Sequence, residues 1–510
     1  MLPVLMATEA QIATPREEAA LKDEERSFVK GAFSLTLCSI IAQVVNYGIH
    51  VGVGRFLAPG AYGSFAIIVA TFSIIEAVLR WGLAKSVAFH VARDKAGARQ
   101  ILKKSLQLQT AYALICFFVF YSLSDRVAVI LGDPGLSSYL RAGAFFIVAF
   151  AFVPVYGGFL NGVGAFRKQG AMGVIRSLVM LSFVVTLLAY GFEIYSVIIA
   201  YTASTLAATV YGFRASRAGS GTAKISVQTK HIVAFGLPLF VSSLATSLLM
   251  RMDLFMIQSI LTDRVLTGLY ASACALIKAP YFLSLGTGLV LFRRVAQLKA
   301  KSPAAARDFI SKTLYYYLLG LAPIPFILSA FAEPILDLVY GQDYLLAAPA
   351  LSILSFCFVL MILHEVLMTA IAGVGRPRWS MVFGLALLPV QFILVHQGII
   401  AMQLTGAALA TTACWGIGTL LGVIYLVRQG YLVLPKWKTF LRVGIASGAS
   451  YYIALWGSPS GLWLIAFAPF IYLLYFALIR LMGEISAGQV NSFVANFLPA
   501  RSRHLIGLGA

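Results

Sequence analysis

Apolar and polar residues are segregated along this chain. Apolar stretches near the roughly 20-residue length that a helix needs to cross the hydrocarbon core of a bilayer alternate with short polar segments. Fourteen can be placed: 31–53, 62–82, 105–122, 141–163, 172–191, 194–213, 232–259, 266–292, 313–331, 345–371, 380–398, 404–427, 439–456 and 460–481. The pattern predicts an all-α polytopic membrane protein with about fourteen transmembrane helices.

Part of the pattern repeats. Residues 31–66, ending GRFLAPGAYGSFA, lie without a gap on 236–271, which places Gly31 on Gly236, Gly63 on Gly268, Phe65 on Tyr270 and Ala66 on Ala271. A second anchor is the turn GVGxxR, which closes helix four at 162–167 and helix ten at 373–378. Both anchors join helix n to helix n+6, with one short insertion between them. An even-numbered repeat keeps its orientation, so the expectation is two six-helix lobes in parallel pseudo-twofold repeat about the membrane normal, followed by two extra C-terminal helices. The expected divisions are a cytoplasmic tail (1–28), an N-lobe (29–213), a Gly/Ser-rich basic linker (214–231), a C-lobe (232–427), helices thirteen and fourteen (428–482) and an amphipathic cytoplasmic tail (483–510).

Composition agrees: 60% of residues are hydrophobic and only 11% charged, against about a quarter charged in a soluble domain. The net charge of +20 would suit a nucleic-acid partner, but the location of the charges argues against one. Most Lys and Arg fall in the tails and in alternate loops (85–104, 167–176, 214–230, 293–312, 376–378, 428–442), while only Arg55, Arg126, Arg141 and Arg264 occupy the other loops. This is the positive-inside pattern, which places both termini in the cytoplasm. Residues 1–28 lack the apolar core of a cleavable signal.

Enzymatic chemistry finds little footing. The chain has no Walker A loop, no GxSxG and no paired cytoplasmic DxD, and its outer loops are short. Cys38, Cys116, Cys274, Cys357 and Cys414 lie inside predicted helices without CxxC spacing and read as small buried hydrophobes. The six histidines are scattered, so no metal site and no cofactor is expected. The reading is a transporter, not an enzyme.

What stands out is a small set of ionisable residues at membrane depth, where a charge faces a water-filled cavity or a partner. Lys278 lies about a dozen residues into helix eight, near mid-bilayer at the ~1.5 Å rise per residue. Arg80 and Glu76 share a face of helix two, as an internal pair or as part of a lumen. Arg251 and Asp253 lie towards the outer end of helix seven, as interface anchors or as lining, and Glu365 follows His364 in helix ten. Lys278, Arg80 and Arg251 are the candidate cavity cations by position. Glu76, Asp253 and Glu365 are the candidate ion-coupling or pairing acids. Pro154, Pro238 and Pro280 are candidate kinks or hinges, because each removes a backbone donor.

The segments GRFLAPGAYGSFAI, FGLPLFVSSLATSLLMRMDLFMIQSILTDRVLTGLYASA and AEPILDLVYGQDYLLAAPALSIL, the last leading to AGVGRPR, resemble the bacterial polysaccharide-transporter family. These are flippases for undecaprenyl-pyrophosphate-linked O-antigen and exopolysaccharide repeat units, within the multidrug/oligosaccharidyl-lipid/polysaccharide exporter superfamily. The resemblance spans residues 30 to about 480. It implies an inner-membrane location, a central cavity open alternately to each side, and a cationic lumen that receives the anionic head group of a lipid-linked oligosaccharide. It also implies inner-membrane lipids, a polysaccharide polymerase and other assembly proteins as partners in lipopolysaccharide or exopolysaccharide biosynthesis. Asp253 matches the family's frequent Asp in helix seven, and the extra helix pair would form a lipid-facing groove as in the related lipid II flippase. Alternatives are a multidrug or small-cation antiporter of the same superfamily and a lipid II flippase. A membrane glycosyltransferase or polymerase would need a larger carboxylate-bearing loop.

Overall fold

The computed structural model describes residues 15–80, 82–94, 96–217, 240–241, 243–457, 461 and 463–484. Pro238, the expected linker beyond Arg217 and the tail beyond Glu484 lie outside them. Among the described residues the chain is helical throughout, with no strand. Its contacts define two compact units, one reaching Arg251 and including Gln258–Arg264, the other made of Met252–Ile257 and the chain from Val265 onward.

The first unit contains α1 (Pro15–Phe56), α2 (Pro59–Arg80), α3 (Leu83–Arg93), α4 (Ala98–Ile130), α5 (Leu136–Phe150), α6 (Phe152–Gly162), α7 (Phe166–Ala189) and α8 (Glu193–Ser216). Its centre is α2–α3 and α5–α6, which are mostly buried, whereas α1, α4 and α7 leave most of their apolar surface outward. Outward Leu and Phe are what a lipid solvent permits. The basic segment expected as a loop from residue 85 is in fact helix α3. Its Leu83, Val87 and Val91 pack with Ala98, Ile101, Val155, Phe159 and Leu160, a stripe of i, i+4 spacing that the charges of the segment conceal.

The second unit contains the first part of α9 (Met252–Leu261), α10 (Arg264–Lys301) from Val265, α11 (Pro303–Leu321), α12 (Pro323–Ala330), α13 (Ala332–Val339), α14 (Ala348–Gly373), α15 (Pro377–Arg428), α16 (Trp437–Gly457) and α17 (Trp463–Leu481). The 52-residue α15 has non-helical dihedrals at Met402 and Gln403 and doubles back there. Cys414 reaches the Leu387 carbonyl at 3.8 Å, and Gly398 meets Gly406 so closely that neither has room for a side chain.

Ten described helices are long and apolar enough to span a membrane, or eleven with the broken seventh run. Two of the three runs that separate eleven from fourteen have local causes. Runs eleven and twelve share α15, and α16 is diluted by Lys438, Thr439, Arg442, Ser447 and Ser450. Pro280 does not interrupt α10, which is helical through that position.

In lipid every backbone polar group must find a partner inside the protein, and the helix breaks show how. At the α5–α6 break, two residues before Pro154, Thr209 donates to the Ala149 carbonyl at 3.2 Å. Pro323 has no N–H for the carbonyl of Leu319, and the Tyr475 hydroxyl of α17 takes it at 3.0 Å. Tyr472 does the same for Gly320 at 2.9 Å. These bonds sit in an apolar cluster of Leu319, Val443, Ala446, Tyr475 and Ile479 and fasten the last two helices to α11. Beyond the helix ends, Glu484 accepts from Thr439 at 2.6 Å and Arg442 at 2.7 Å. Burial pushes its carboxyl up, but these donors outweigh that and hold it below the ordinary carboxylate value.

Tyr475→Phe leaves the Leu319 carbonyl buried without a donor, at an expected cost of about 1–3 kcal/mol. Thermal unfolding of the purified chain in detergent checks this. The loss should shrink when Pro323→Ala returns the backbone N–H, and an equal loss in both backgrounds would contradict the assignment.

Candidate functional site

Glu76 lies one turn before the end of α2 and receives two guanidinium groups. Arg80 donates from the next turn of the same helix at 2.8 Å. Arg176 donates from the third turn of α7, about 15 Å along that helix from Phe166 at the usual rise. Arg251 bonds Ser73 Oγ at 3.1 Å and acts electrostatically on the same carboxylate. Three positive charges thus surround one negative charge. The Arg80 side chain is 54% exposed, against 15% for Glu76 and 20% for Arg176, so the accessible face of the cluster is cationic.

Beneath the cluster is an aromatic floor. The Phe150 ring, at the end of α5, lies 5.4 Å from the Arg80 guanidinium carbon and 5.1 Å from that of Arg176. Phe146 continues the floor, with Phe72 at 4.6 Å and Tyr201 at 5.8 Å between ring centres. A ring face attracts a cation and takes no hydrogen bond, so it orients the guanidiniums while leaving N–H groups for an incoming acceptor.

Arg176 was expected in the cytoplasmic loop 167–176; the structure corrects this. The turn GVG ends α6 in a Schellman motif, with Gly164 at φ +79° and the Ala165 N–H on the Leu160 carbonyl at 2.8 Å. Helix α7 therefore starts at Phe166 and carries Arg176 inward. The second GVG makes the same turn, with Gly375 at φ +82° and Arg376 N–H on the Ile371 carbonyl. That shared stop at the third residue of the motif was the available signal for Arg176.

The remaining candidates lie elsewhere. In the second unit Asp253 is buried in the first turn of α9, where it accepts from the Leu254 N–H at 2.8 Å and from Tyr270 Oη at 2.9 Å. Lys278, partly buried on α10, and Asp253 both act electrostatically on Cys357. Glu365 is exposed on α14 whereas His364 is buried against Trp415, with ring centres 5.3 Å apart. Pro154 is buried in the first turn of α6. An apolar groove of about 320 Å³ runs between α1 and α7, with Glu193 as its one ionisable lining residue, and offers nothing to an anion. No three His, Cys, Asp or Glu converge among the described residues.

The architecture defines a class. Over 89% of this chain and 98% of the other it superposes on the lipid II flippase MurJ in an inward closed conformation, with a TM-score of 0.71 and 15% identity. An inward-facing MATE multidrug resistance transporter of the MOP superfamily matches 78% of this chain and 98% of its own, with a TM-score of 0.64 and 19% identity. A point mutant of the Vibrio cholerae MATE transporter VcmN matches 79% and 97%, with a TM-score of 0.59 and 13% identity. These likenesses establish the fold, a polytopic all-α arrangement that the chain shares with these proteins.

The model of the polysaccharide biosynthesis protein family matches residues 53–349, and the chain belongs to this family. An uncharacterized membrane protein of Methanocaldococcus jannaschii is 25% identical over 180 residues, which is 32% of this chain and 33% of that protein. The alignment spans about a third of that relative's length.

Removing the shared acceptor should loosen the first unit. Glu76→Gln leaves Arg80 and Arg176 without their ion pair, at an expected cost of about 2–3 kcal/mol, read as a lower unfolding midpoint in detergent. An unchanged midpoint would mean that the cluster is not held by this carboxylate.

Proposed function

We propose that the chain carries a polyprenyl-diphosphate-linked oligosaccharide across the bacterial inner membrane by alternating access, for assembly of a surface polysaccharide. The observation that carries the reading is the excess positive charge around Glu76, together with membership in a polysaccharide biosynthesis family. A diphosphate sugar head cannot cross about 30 Å of hydrocarbon unaided, whereas the polyprenyl tail stays in lipid. Guanidinium forks match phosphate oxygens two at a time. Glu76 has a complementary part in this scheme: it offsets part of the cost of keeping buried arginines charged in the empty state and competes with the substrate, so that release stays possible. Lys278 is the candidate substrate cation of the second unit. In this reading both termini are cytoplasmic, and a polymerase with its assembly proteins takes the delivered unit on the far side.

A strain lacking the chain should lose surface polymer and accumulate the lipid-linked unit in the cytoplasmic leaflet. The wild-type chain should restore the polymer; Arg80→Ala, Arg176→Ala and Lys278→Glu, at equal protein level, should not. Normal polymer from all three variants would sink the assignment.

Cation antiport is the second reading, drawn from the buried Asp253–Tyr270 pair. It predicts that Asp253→Asn sensitises cells to cationic drugs, with polymer output unaffected.

A further inference from the structure

Arg80 is the last residue of α2, so its place depends on how that helix is made to stop. Two features stop it. Gly82 adopts φ +74°, a left-handed conformation that costs an L side chain energy. On α4, Gln109 Nε2 donates to the Leu79 carbonyl at 2.9 Å and Tyr112 Oη to the Val78 carbonyl at 3.2 Å. Gln109 and Tyr112 are three residues apart and so share a face of α4, and they reach the two carbonyls immediately before Arg80.

Gln109 is wholly buried on a helix that otherwise turns mostly apolar residues outward. Burying an amide is unfavourable unless it is hydrogen-bonded, and its Nε2 bonds the end of α2. With no exposed surface it cannot touch a ligand itself. The backbone it holds, however, carries both Glu76 and Arg80, and Arg80 is the most exposed cation of the ion-paired cluster.

We propose that Gln109 and Tyr112 are positioning residues of the anion site: by holding the carbonyls of Leu79 and Val78 they fix where α2 ends and so present the Arg80 guanidinium to the anionic head group. The inference rests on the anion-site reading above. Its physical basis is that recognition by a guanidinium fork depends on placement. In catalysis, a misplacement of about 1 Å in the acting group, caused by a change far from it, can cost as much as 10²-fold, and a helix end released from two bonds is less tightly placed.

The test is a double-mutant cycle on the full chain in detergent, with geranylgeranyl diphosphate as probe, geranylgeraniol as its uncharged control, and Kd from isothermal titration. Arg80→Ala should weaken diphosphate binding about tenfold, and Gln109→Leu about fivefold. In the Arg80→Ala background Gln109→Leu should change Kd by less than about twofold, because coupled sites are non-additive. The loss of melting temperature from Gln109→Leu should persist in both backgrounds, since that part is structural. Tyr112→Phe, which removes only a hydroxyl, should show the same pattern and serves if Gln109→Leu does not fold. No effect of Arg80→Ala would overturn the anion site itself. A normal Arg80→Ala effect with Gln109→Leu and Tyr112→Phe either silent or multiplying in full would overturn the positioning role alone.

Discussion

Hydrocarbon offers the backbone no hydrogen bonds, and much of this architecture follows from that constraint. Unbroken helices meet it by themselves; broken ones do not, and this chain breaks several. At α2–α3, α5–α6 and α11–α12 the carbonyls near the break accept from Gln109 and Tyr112, from Thr209, and from Tyr472 and Tyr475. Each donor comes from a helix other than the broken one, so these three breaks are also ties between helices. A tie of this kind is directional in a way that Leu and Phe contacts in lipid are not, and it fixes helix ends where apolar packing alone would let them slide.

Two of these breaks set the electrostatics of the first unit. The end of α2 places Glu76 and Arg80, and the end of α5 places Phe150 below the guanidiniums. Desolvating a lone arginine costs several kcal/mol, which the Glu76 ion pair offsets chiefly for the less exposed Arg176. One carboxylate cannot neutralise three cations, and the surplus is what an anionic head group would meet. A fully paired cluster would be structural glue; a cluster without Glu76 would hold its arginines apart by repulsion. Under the proposed function, that ratio suits a site that binds and lets go.

Much of the fold was legible because membrane helices advertise themselves as apolar runs: each of the fourteen runs coincides, where described, with helix. The repeated GVG was legible too, and both copies form the same left-handed turn. Breaks without proline were not, since Gly82 and Gln403 carry no signal beyond their own identity. The site was half visible. Glu76 and Arg80 stand out at i, i+4, but Arg176 hides in a basic stretch that reads as loop until the turn at Gly164 is recognised. Arg251 and Asp253, conspicuous together in the sequence, have separate partners, Ser73 and Tyr270, because the run breaks at Arg251, which caps α9 from outside, while Asp253 lies in its first turn.

Head-group charge is the property on which the functional account turns, and movement across a bilayer is its most direct test. The full chain, reconstituted in vesicles, would be given a polyprenyl diphosphate lipid with a fluorescent sugar head, and separately the same lipid without its diphosphate, and arrival in the opposite leaflet would be followed by quenching. The expected result is faster transfer of the diphosphate lipid than in empty vesicles, no gain for the uncharged lipid, and loss of the gain in an Arg80→Ala/Arg176→Ala chain. Equal transfer of both lipids, or full transfer by that variant, would contradict it.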